Sequence, residues 1–283
     1  MNLAVFSLWT QTSMFRVERG PLLIHSLAIE RAKQCFSKVH FITDAGGNAL
    51  AESLGWRFDH VALDLDSLRA EGMLHIWALG KLVAVSIQKE PFIHMDGDVV
   101  LTSPLSQELK SARLVAQSRD YPHYYHSEEM NTAYQVSGIR RGYPKYNCGI
   151  IGGADNALLR SWALHAYEKA QLFANNPLNG TTTSMMIEQA SLGAWADYCG
   201  VKVATIIDSP DDQDGARRAG YNHLAGNAKR NPEIVARAEA TFARVFPEAY
   251  KRFNDGFATL VPSLTLEVES SSSSSNSSAE VAF

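Results

Sequence analysis

The chain has 283 residues, of which 46% are hydrophobic and 20% charged, a composition typical of a folded globular protein. With a net charge of −4, the chain has no excess of basic residues of the kind found in nucleic-acid-binding proteins, so we expect no nucleic-acid partner. Cys35, Cys148 and Cys199 are widely spaced and fit neither a zinc motif nor a disulfide framework, which favours a reducing, cytoplasmic location. The N-terminus lacks a signal-peptide pattern, and the most apolar window, 73–87, is too short to predict a transmembrane segment.

The first part of the chain alternates short apolar strands with helices. Strands are predicted at 3–8, 39–44, within 57–65 and at 91–96, and helices at 20–36, at 47–55 and, as one long helix, over 67–88. This alternation predicts right-handed crossovers and a largely parallel sheet flanked by helices. Because ligands bind at the carboxyl ends of parallel strands, residues 7–10, Asp44 and the turn at 96–98 are expected to face one crevice.

The remainder of the chain continues this α/β pattern. Strands are predicted at 112–118, 147–153 and 201–207, and helices at 155–173, 184–199 and 231–257, with Asp155 as an N-cap. We therefore predict a single α/β domain over residues 1–260. The serine-rich segment 261–283 cannot form an apolar core, so we predict a disordered tail there.

The stretch "MDGDVV" predicts a metal site. Asp96 and Asp98 follow an almost wholly apolar strand and are expected on the same side of it, and Gly97 lets the backbone turn tightly or a ligand approach. Paired carboxylates at such a strand end can hold a hard divalent cation. In "YNHLAGNAK", His223 can add an imidazole to a manganese-like ion, and Lys229 can neutralise a diphosphate on it.

The ordered set of a strand-terminal D-x-D, the mid-chain "YNCGIIGG" and a late H-x-x-G-x-x-K resembles the metal-dependent glycosyltransferases of the GT-A fold, in particular the glycogenin-like family and capsular-polysaccharide or mannosyltransferase-like relatives. The resemblance covers residues 3–229 and implies a Rossmann-like GT-A sheet with Mn²⁺ or Mg²⁺ as cofactor. It implies Asp96, Asp98 and His223 as metal ligands. The donor-binding residues that it implies are Ser7, Trp9, Thr10, Asp44, Lys81, Asp96, Asn147, Gly226 and Lys229. The chain departs from the glycogenin-like pattern after Lys229, where Arg230 to Pro232 replace Pro-Trp, and at Cys148, where a smaller residue is commoner.

The implied reaction is sugar transfer from a nucleotide-diphosphate-sugar, most often a UDP-sugar, to a hydroxyl group of a glycan or another acceptor. Glu188 and Gln189 are the predicted catalytic residues: Glu188 is the general base in an inverting enzyme, and either residue stabilises the oxocarbenium-like state in a retaining one. The aromatic segment 119–131 is a candidate acceptor loop or lid.

Two other functions remain open on the sequence alone. A nucleotidyltransferase on a similar sheet would need a glycine-rich basic loop after the first strand, and "SLWTQTSMFR" has no glycine there. A non-catalytic module that binds nucleotide-sugars or glycans is the other alternative, because a fold does not by itself determine an activity.

Overall fold

In the computed structural model, residues 1–68, 72–176 and 178–273 are described, with side chains up to residue 260. The strands are β1 Leu3–Leu8, β2 Lys38–Thr43, β3 His60–Ala62, β4 Phe92–Met95, β5 Val99–Leu101, β6 Val115–Arg119, β7 Tyr146–Gly153, β8 Ala204–Thr205 and β9 Tyr221–His223. The helices are α1 Arg19–Cys35, α2 Ala45–Ser53, α3 Leu79–Ser86, α4 Gln107–Ser111, α5 Glu128–Ser137, α6 Asn156–Gln171, α7 Gly180–Ser184, α8 Ser191–Tyr198, α9 Gln213–Ala219, α10 Pro232–Val245 and α11 Pro247–Ser273.

The described part of the chain forms a sheet of seven strands in the order β3-β2-β1-β4-β7-β6-β8. β1, β2, β3 and β4 are mutually parallel, as are β6 and β8, while β7 runs antiparallel to both of its neighbours. Helices cover both faces of this sheet. The predicted α/β architecture with a mostly parallel central sheet is therefore confirmed.

Alternation along β1, an interior strand of the sheet, sends side chains into two apolar layers. In β1, Leu3 and Val5 pack into the layer that contains Trp162 of α6, while Ala4 and Phe6 pack into the layer formed with α1, α10 and α11. All four β1 residues are at most 1% exposed. Burial on both faces explains why this strand reads as a continuous apolar run.

A second, two-stranded sheet joins distant parts of the chain. β5 follows the acidic turn, and it pairs antiparallel with β9, so that Val99 lies opposite His223. β5 also packs against α1. This small sheet places the end of β9 beside the turn at 96–98.

The predicted helix over 67–88 is wrong in extent. A 3₁₀ turn covers Asp64–Ser67 and α3 begins only at Leu79, while residues 69–71 lie outside the described part. Gly72 has a φ of +71°, a left-handed conformation that interrupts a helix.

Three further elements differ from their predicted forms. The late strand 201–207 is reduced to β8, which pairs only at its two residues. The helix at 184–199 is divided by a π-helical turn over Met185–Ala190. The helical segment 231–257 is two helices, because Pro247 lacks the N–H needed to continue α10.

The predicted helix at 155–173 is confirmed as α6, whose N-cap Asp155 accepts a hydrogen bond from the Leu158 N–H. The predicted boundary at residue 260 falls within the span of α11 and stays a prediction, and residues 274–283 lie outside the described part. No helix among the described residues combines the length and the apolar character needed to cross a bilayer.

Candidate functional site

The acidic turn directly follows β4 and is fixed by backbone hydrogen bonds. The Asp96 N–H donates to the Gly149 carbonyl at 2.8 Å, and the Val99 N–H donates to the Asp96 carbonyl at 3.0 Å. A Cβ atom on Gly97 would lie 2.5 Å from Nδ1 of the buried His25. Glycine is therefore required at position 97 because the turn packs directly on an imidazole ring of α1.

The pairing of β5 with β9 brings His223 to the acidic turn. The Leu224 N–H donates to the Asp98 carbonyl at 2.9 Å, and His223 Nε2 lies 3.3 Å from Asp98 Oδ1. One ligand atom each from Asp96, Asp98 and His223 lie within 4.8 Å of one another. Two carboxylate oxygens and one imidazole nitrogen form a donor set that suits Mn²⁺ or Mg²⁺, so these residues fit the predicted cofactor.

Lys229 compensates the charge of the more buried aspartate. Its Nζ lies 2.7 Å from Asp98 Oδ2, and the Asp98 side chain is 11% exposed. Burial alone would raise the pKa of Asp98, but the hydrogen bond with His223 and the charge of Lys229 outweigh burial and hold that pKa well below its usual range. Asp98 is therefore a permanent anion beside two nitrogen-bearing side chains.

Lys81 forms the centre of a second, buried charge cluster. Its Nζ lies 2.6 Å from Asp96 Oδ1 and 2.6 Å from Glu188 Oε1, and it donates to the Cys148 carbonyl at 2.9 Å. Burial acts to lower the pKa of Lys81, but the charges of Asp96 and Glu188 raise it well above its usual value. The Lys81 ammonium thus connects Asp96, a predicted metal ligand, to Glu188, a predicted catalytic residue.

Glu188 and Gln189 lie in the π-helical turn between α7 and α8. The Ser191 N–H reaches the Met186 carbonyl, five residues back, and such turns are frequent at functional sites. Glu188 is fully buried, and burial raises its pKa even though Lys81 acts against that shift. Gln189 is partly exposed, and its Oε1 accepts a hydrogen bond from the Tyr125 hydroxyl at 2.7 Å.

The predicted nucleoside-pocket residues lie at the ends of β1 and β2. The Asp44 carboxylate accepts hydrogen bonds from the backbone N–H groups of Thr10, Gln11 and Gly47, so it joins the β1 loop to the start of α2. The Ser7 hydroxyl is hydrogen-bonded to His94 at 2.8 Å. These contacts place Thr10 and Asp44 together, as predicted, and the Asp44 carboxylate is engaged within the protein.

Trp9 is 4% exposed and packs over Gly80 of α3. Asn147 on β7 accepts the Gly149 N–H through its side-chain oxygen at 3.0 Å. Gly226 has a φ of +59°, with open space where a Cβ atom would lie. The structure thus places Asn147 beside the acidic turn through Gly149, while the donor-binding roles of these three residues stay predictions.

Sequence reasoning missed a polar network next to Gln189. The Tyr125 hydroxyl contacts both Gln189 Oε1 and Asp120 Oδ2 at 2.7 Å, and burial raises the pKa of Asp120. Asp120 directly follows β6, as Asp96 directly follows β4, and this shared position at a strand end was the available signal. Gly149 was also missed: a Cβ atom there would lie 2.5 Å from His223 Cε1.

Comparisons with known proteins relate the chain to solved structures and to a sequence family. The crystal structure of the galactosyltransferase LgtC in complex with donor and acceptor sugar analogues is similar to it with 14% identity and a TM-score of 0.44, over 83% of this chain and 95% of LgtC. No curated protein matches the sequence. The family model DUF6734 matches residues 15–255, so the chain belongs to this family of unknown function.

Proposed function

We propose that this protein is a metal-dependent glycosyltransferase of GT-A type, which transfers a sugar from a nucleotide-diphosphate-sugar to a hydroxyl acceptor. One observation carries the proposal: Asp96, Asp98 and His223 offer ligand atoms within 4.8 Å of one another, with a lysine on Asp98. This cluster follows β4, beside the carboxyl ends of the parallel strands β1 and β2, where such sheets bind ligands.

The donor half of the reaction is assigned to the metal ligands and to Lys229. Asp96, Asp98 and His223 would hold a divalent ion, whose positive charge would stabilise a diphosphate leaving group. Lys229 is a flexible cation, 30% exposed in its side chain, that can bind a phosphate oxygen as well as Asp98. Lys81 holds the Asp96 carboxylate in place through the 2.6 Å ion pair.

The sugar half of the reaction is assigned to the π-helical turn. Glu188 is fully buried and paired with Lys81, whereas Gln189 is partly exposed. We therefore assign Gln189, oriented by Tyr125, to the face of the anomeric carbon, where an amide oxygen stabilises developing positive charge. In this assignment Glu188 holds Lys81 in position through their ion pair, and it does not act as a general base on the acceptor.

The test is a thermal-shift panel of nucleoside diphosphates, with and without Mn²⁺, on the wild type, Asp98→Asn and Asp197→Asn. A ligand at about 100 times its Kd stabilises the folded state by about 2.7 kcal/mol, which is a measurable rise in Tm. Because the diphosphate is proposed to bind through the metal, one nucleotide should raise the Tm only when Mn²⁺ is present. Asp98→Asn should abolish this shift. Asp197→Asn, the same change at an exposed position on α8, should retain it.

The nucleotide-sugars of the selected base are then tested as donors, with hydrolysis or transfer as the readout. Binding without turnover for every donor would identify a binding module instead of an enzyme. Absence of a metal-dependent shift with any nucleotide would refute the proposed function.

A further inference from the structure

The segment between α5 and β7 carries three cations next to the predicted sugar site. Arg140 and Arg141 are exposed, and Lys145 is partly exposed; we call these three residues the basic segment. Lys145 Nζ lies 5.7 Å from the centre of the Tyr125 ring, and the Arg141 guanidinium lies 5.2 Å from the centre of the Tyr134 ring. These distances place both side chains over aromatic faces within cation–π range.

The basic segment has no carboxylate partner among the described residues, whereas the other two cations of the site do. Lys81 and Lys229 are each paired with a carboxylate at 2.7 Å or less. Arg141 instead donates to the neutral Asn131 side chain at 2.5 Å. Burial and the neighbouring charge of Arg141 both lower the pKa of Lys145. The fold therefore holds like charges together in a place where an anion would relieve their repulsion.

Tyr125 connects the basic segment to the predicted reaction centre. Its ring contacts Lys145, and its hydroxyl donates to Gln189 Oε1 at 2.7 Å. Near the acidic turn, by contrast, Lys229 is paired with Asp98 and Lys81 with Asp96. The positive charge that has no carboxylate partner therefore lies next to Tyr125, whose hydroxyl contacts the predicted catalytic residue Gln189.

We propose that the acceptor of this protein is an anionic glycan, whose phosphate or carboxylate group is bound by Arg141 and Lys145 with Arg140 beside them. A guanidinium binds either oxyanion through two parallel N–H bonds, and an ammonium adds a mobile charge. This inference rests on the proposed function and names the acceptor class for it.

The test compares three matched probes: glucose oligosaccharides, the same oligosaccharides with a 6-phosphate, and oligoglucuronates of equal length. Dissociation constants are measured by saturation-transfer NMR titration, with the selected nucleoside diphosphate and Mn²⁺ present. At least one charged probe should bind about tenfold more tightly than the neutral one, and the difference should shrink as salt rises. The two charged probes distinguish a phosphate from a carboxylate.

The variant Arg141→Ala/Lys145→Ala should lose the preference for charged probes while its nucleotide-dependent thermal shift stays unchanged. Arg160→Ala/Arg237→Ala removes two exposed cations from α6 and α10 and should retain the preference. Equal or weaker binding of both charged probes by the wild type would overturn the inference, as would a preference that survives in the first variant.

These outcomes are separable from a failure of the proposed function. If no nucleotide binds with metal, the glycosyltransferase proposal itself fails. If the nucleotide binds but charged glycans bind no more tightly than the neutral glycan, only the acceptor assignment fails.

Discussion

A buried lysine between two carboxylates is stable only while all three groups are present. Lys81 is 5% exposed in its side chain and Glu188 is fully buried, so water cannot replace either partner. Removal of one member of a buried pair leaves a charge that is neither solvated nor neutralised. The cluster therefore matters for folding as well as for the position of Asp96.

We predict that Lys81→Met lowers the free energy of unfolding by about 3–5 kcal/mol, because Glu188 loses its counter-ion. The double variant Lys81→Met/Glu188→Gln should regain part of this loss, since the uncompensated buried carboxylate is gone. Urea denaturation of the wild type and of both variants measures these differences. Lys33→Met, at a half-buried ion pair on α1, serves as the control and should change stability by about 1 kcal/mol or less.

Burial of His25 predicts a loss of stability in mild acid. Burial lowers the pKa of His25 from 6.5 to about 4. Between these two values the unfolded chain binds a proton that the folded chain does not, so stability falls as the pH decreases through this window. From pH 7 to pH 5 this group should remove about 2 kcal/mol of stability.

The variant His25→Gln should flatten that part of the stability profile, while His126→Gln, at an exposed histidine, should leave it unchanged. Urea denaturation at pH 7 and pH 5 gives the comparison. An identical pH dependence in the wild type and in His25→Gln would contradict the prediction.

At the scale of elements, the close approach of β7 to β9 determines the position of His223, the proposed metal ligand. A Cβ atom at Gly149 would lie 2.5 Å from both His223 Cε1 and Gln117 Oε1. A methyl group on β7 would therefore displace the imidazole from Asp98.

Gly149→Ala is expected to weaken Mn²⁺ binding by about tenfold to hundredfold, the range seen when the support of a metal ligand is disturbed. Isothermal titration calorimetry with Mn²⁺ measures the change. Gly142→Ala adds a methyl group in open space at a φ of +99° and should lower stability without changing metal affinity. Unchanged Mn²⁺ affinity in Gly149→Ala would contradict this prediction.

The sequence predicted the elements whose signal is local. β1 and β4 are short, mostly apolar runs, β2 and β4 are each followed directly by an aspartate, and Asp155 is an N-cap that a sequence pattern reveals. The two-stranded sheet could not be predicted in this way. β5 and β9 have three residues each, and their paired residues, such as Val99 and His223, are far apart in the sequence.

The sequence indicated three residues that the structure brings together, but not the contacts that connect them to the rest of the protein. Asp96, Asp98 and His223 were identified by motif and are brought together. Lys81 contacts two carboxylates only because the tertiary structure brings α3, Asp96 and the π-helical turn together. The π-helical turn itself has no recognisable sequence signal. The extra residue of that turn separates Glu188, which is buried, from Gln189, which is partly exposed.

At the scale of the whole molecule, the C-terminal helices close one face of the sheet. Phe242 of α10 and Phe253 of α11 are at most 1% exposed and pack in the same apolar layer as Phe6. A Cβ atom on Gly256 would lie 1.7 Å from the Ser53 carbonyl oxygen, which shows how closely α11 approaches α2. The first part of α11 therefore belongs to the core.

Two truncations test the predicted boundary at residue 260. A chain that ends at Leu260 should keep its Tm within about 2 °C of the full chain, because the removed segment contributes no predicted core. A chain that ends at Phe246 should lose at least about 3 kcal/mol, because the buried Phe253 is gone. Equal stability of the two truncated chains would refute the boundary, and thermal unfolding measures it.

The pairing of Lys229 with Asp98 spans 131 residues of sequence. During synthesis the acidic turn leaves the ribosome long before β9 and Lys229 exist, so the nascent chain carries Asp98 without the groups that later neutralise it. Contacts of such large sequence separation form late and slowly. The cluster of Asp96, Asp98, His223 and Lys229 is thus completed last, and a chain released before residue 229 is synthesised would contain most of the sheet but not the complete cluster.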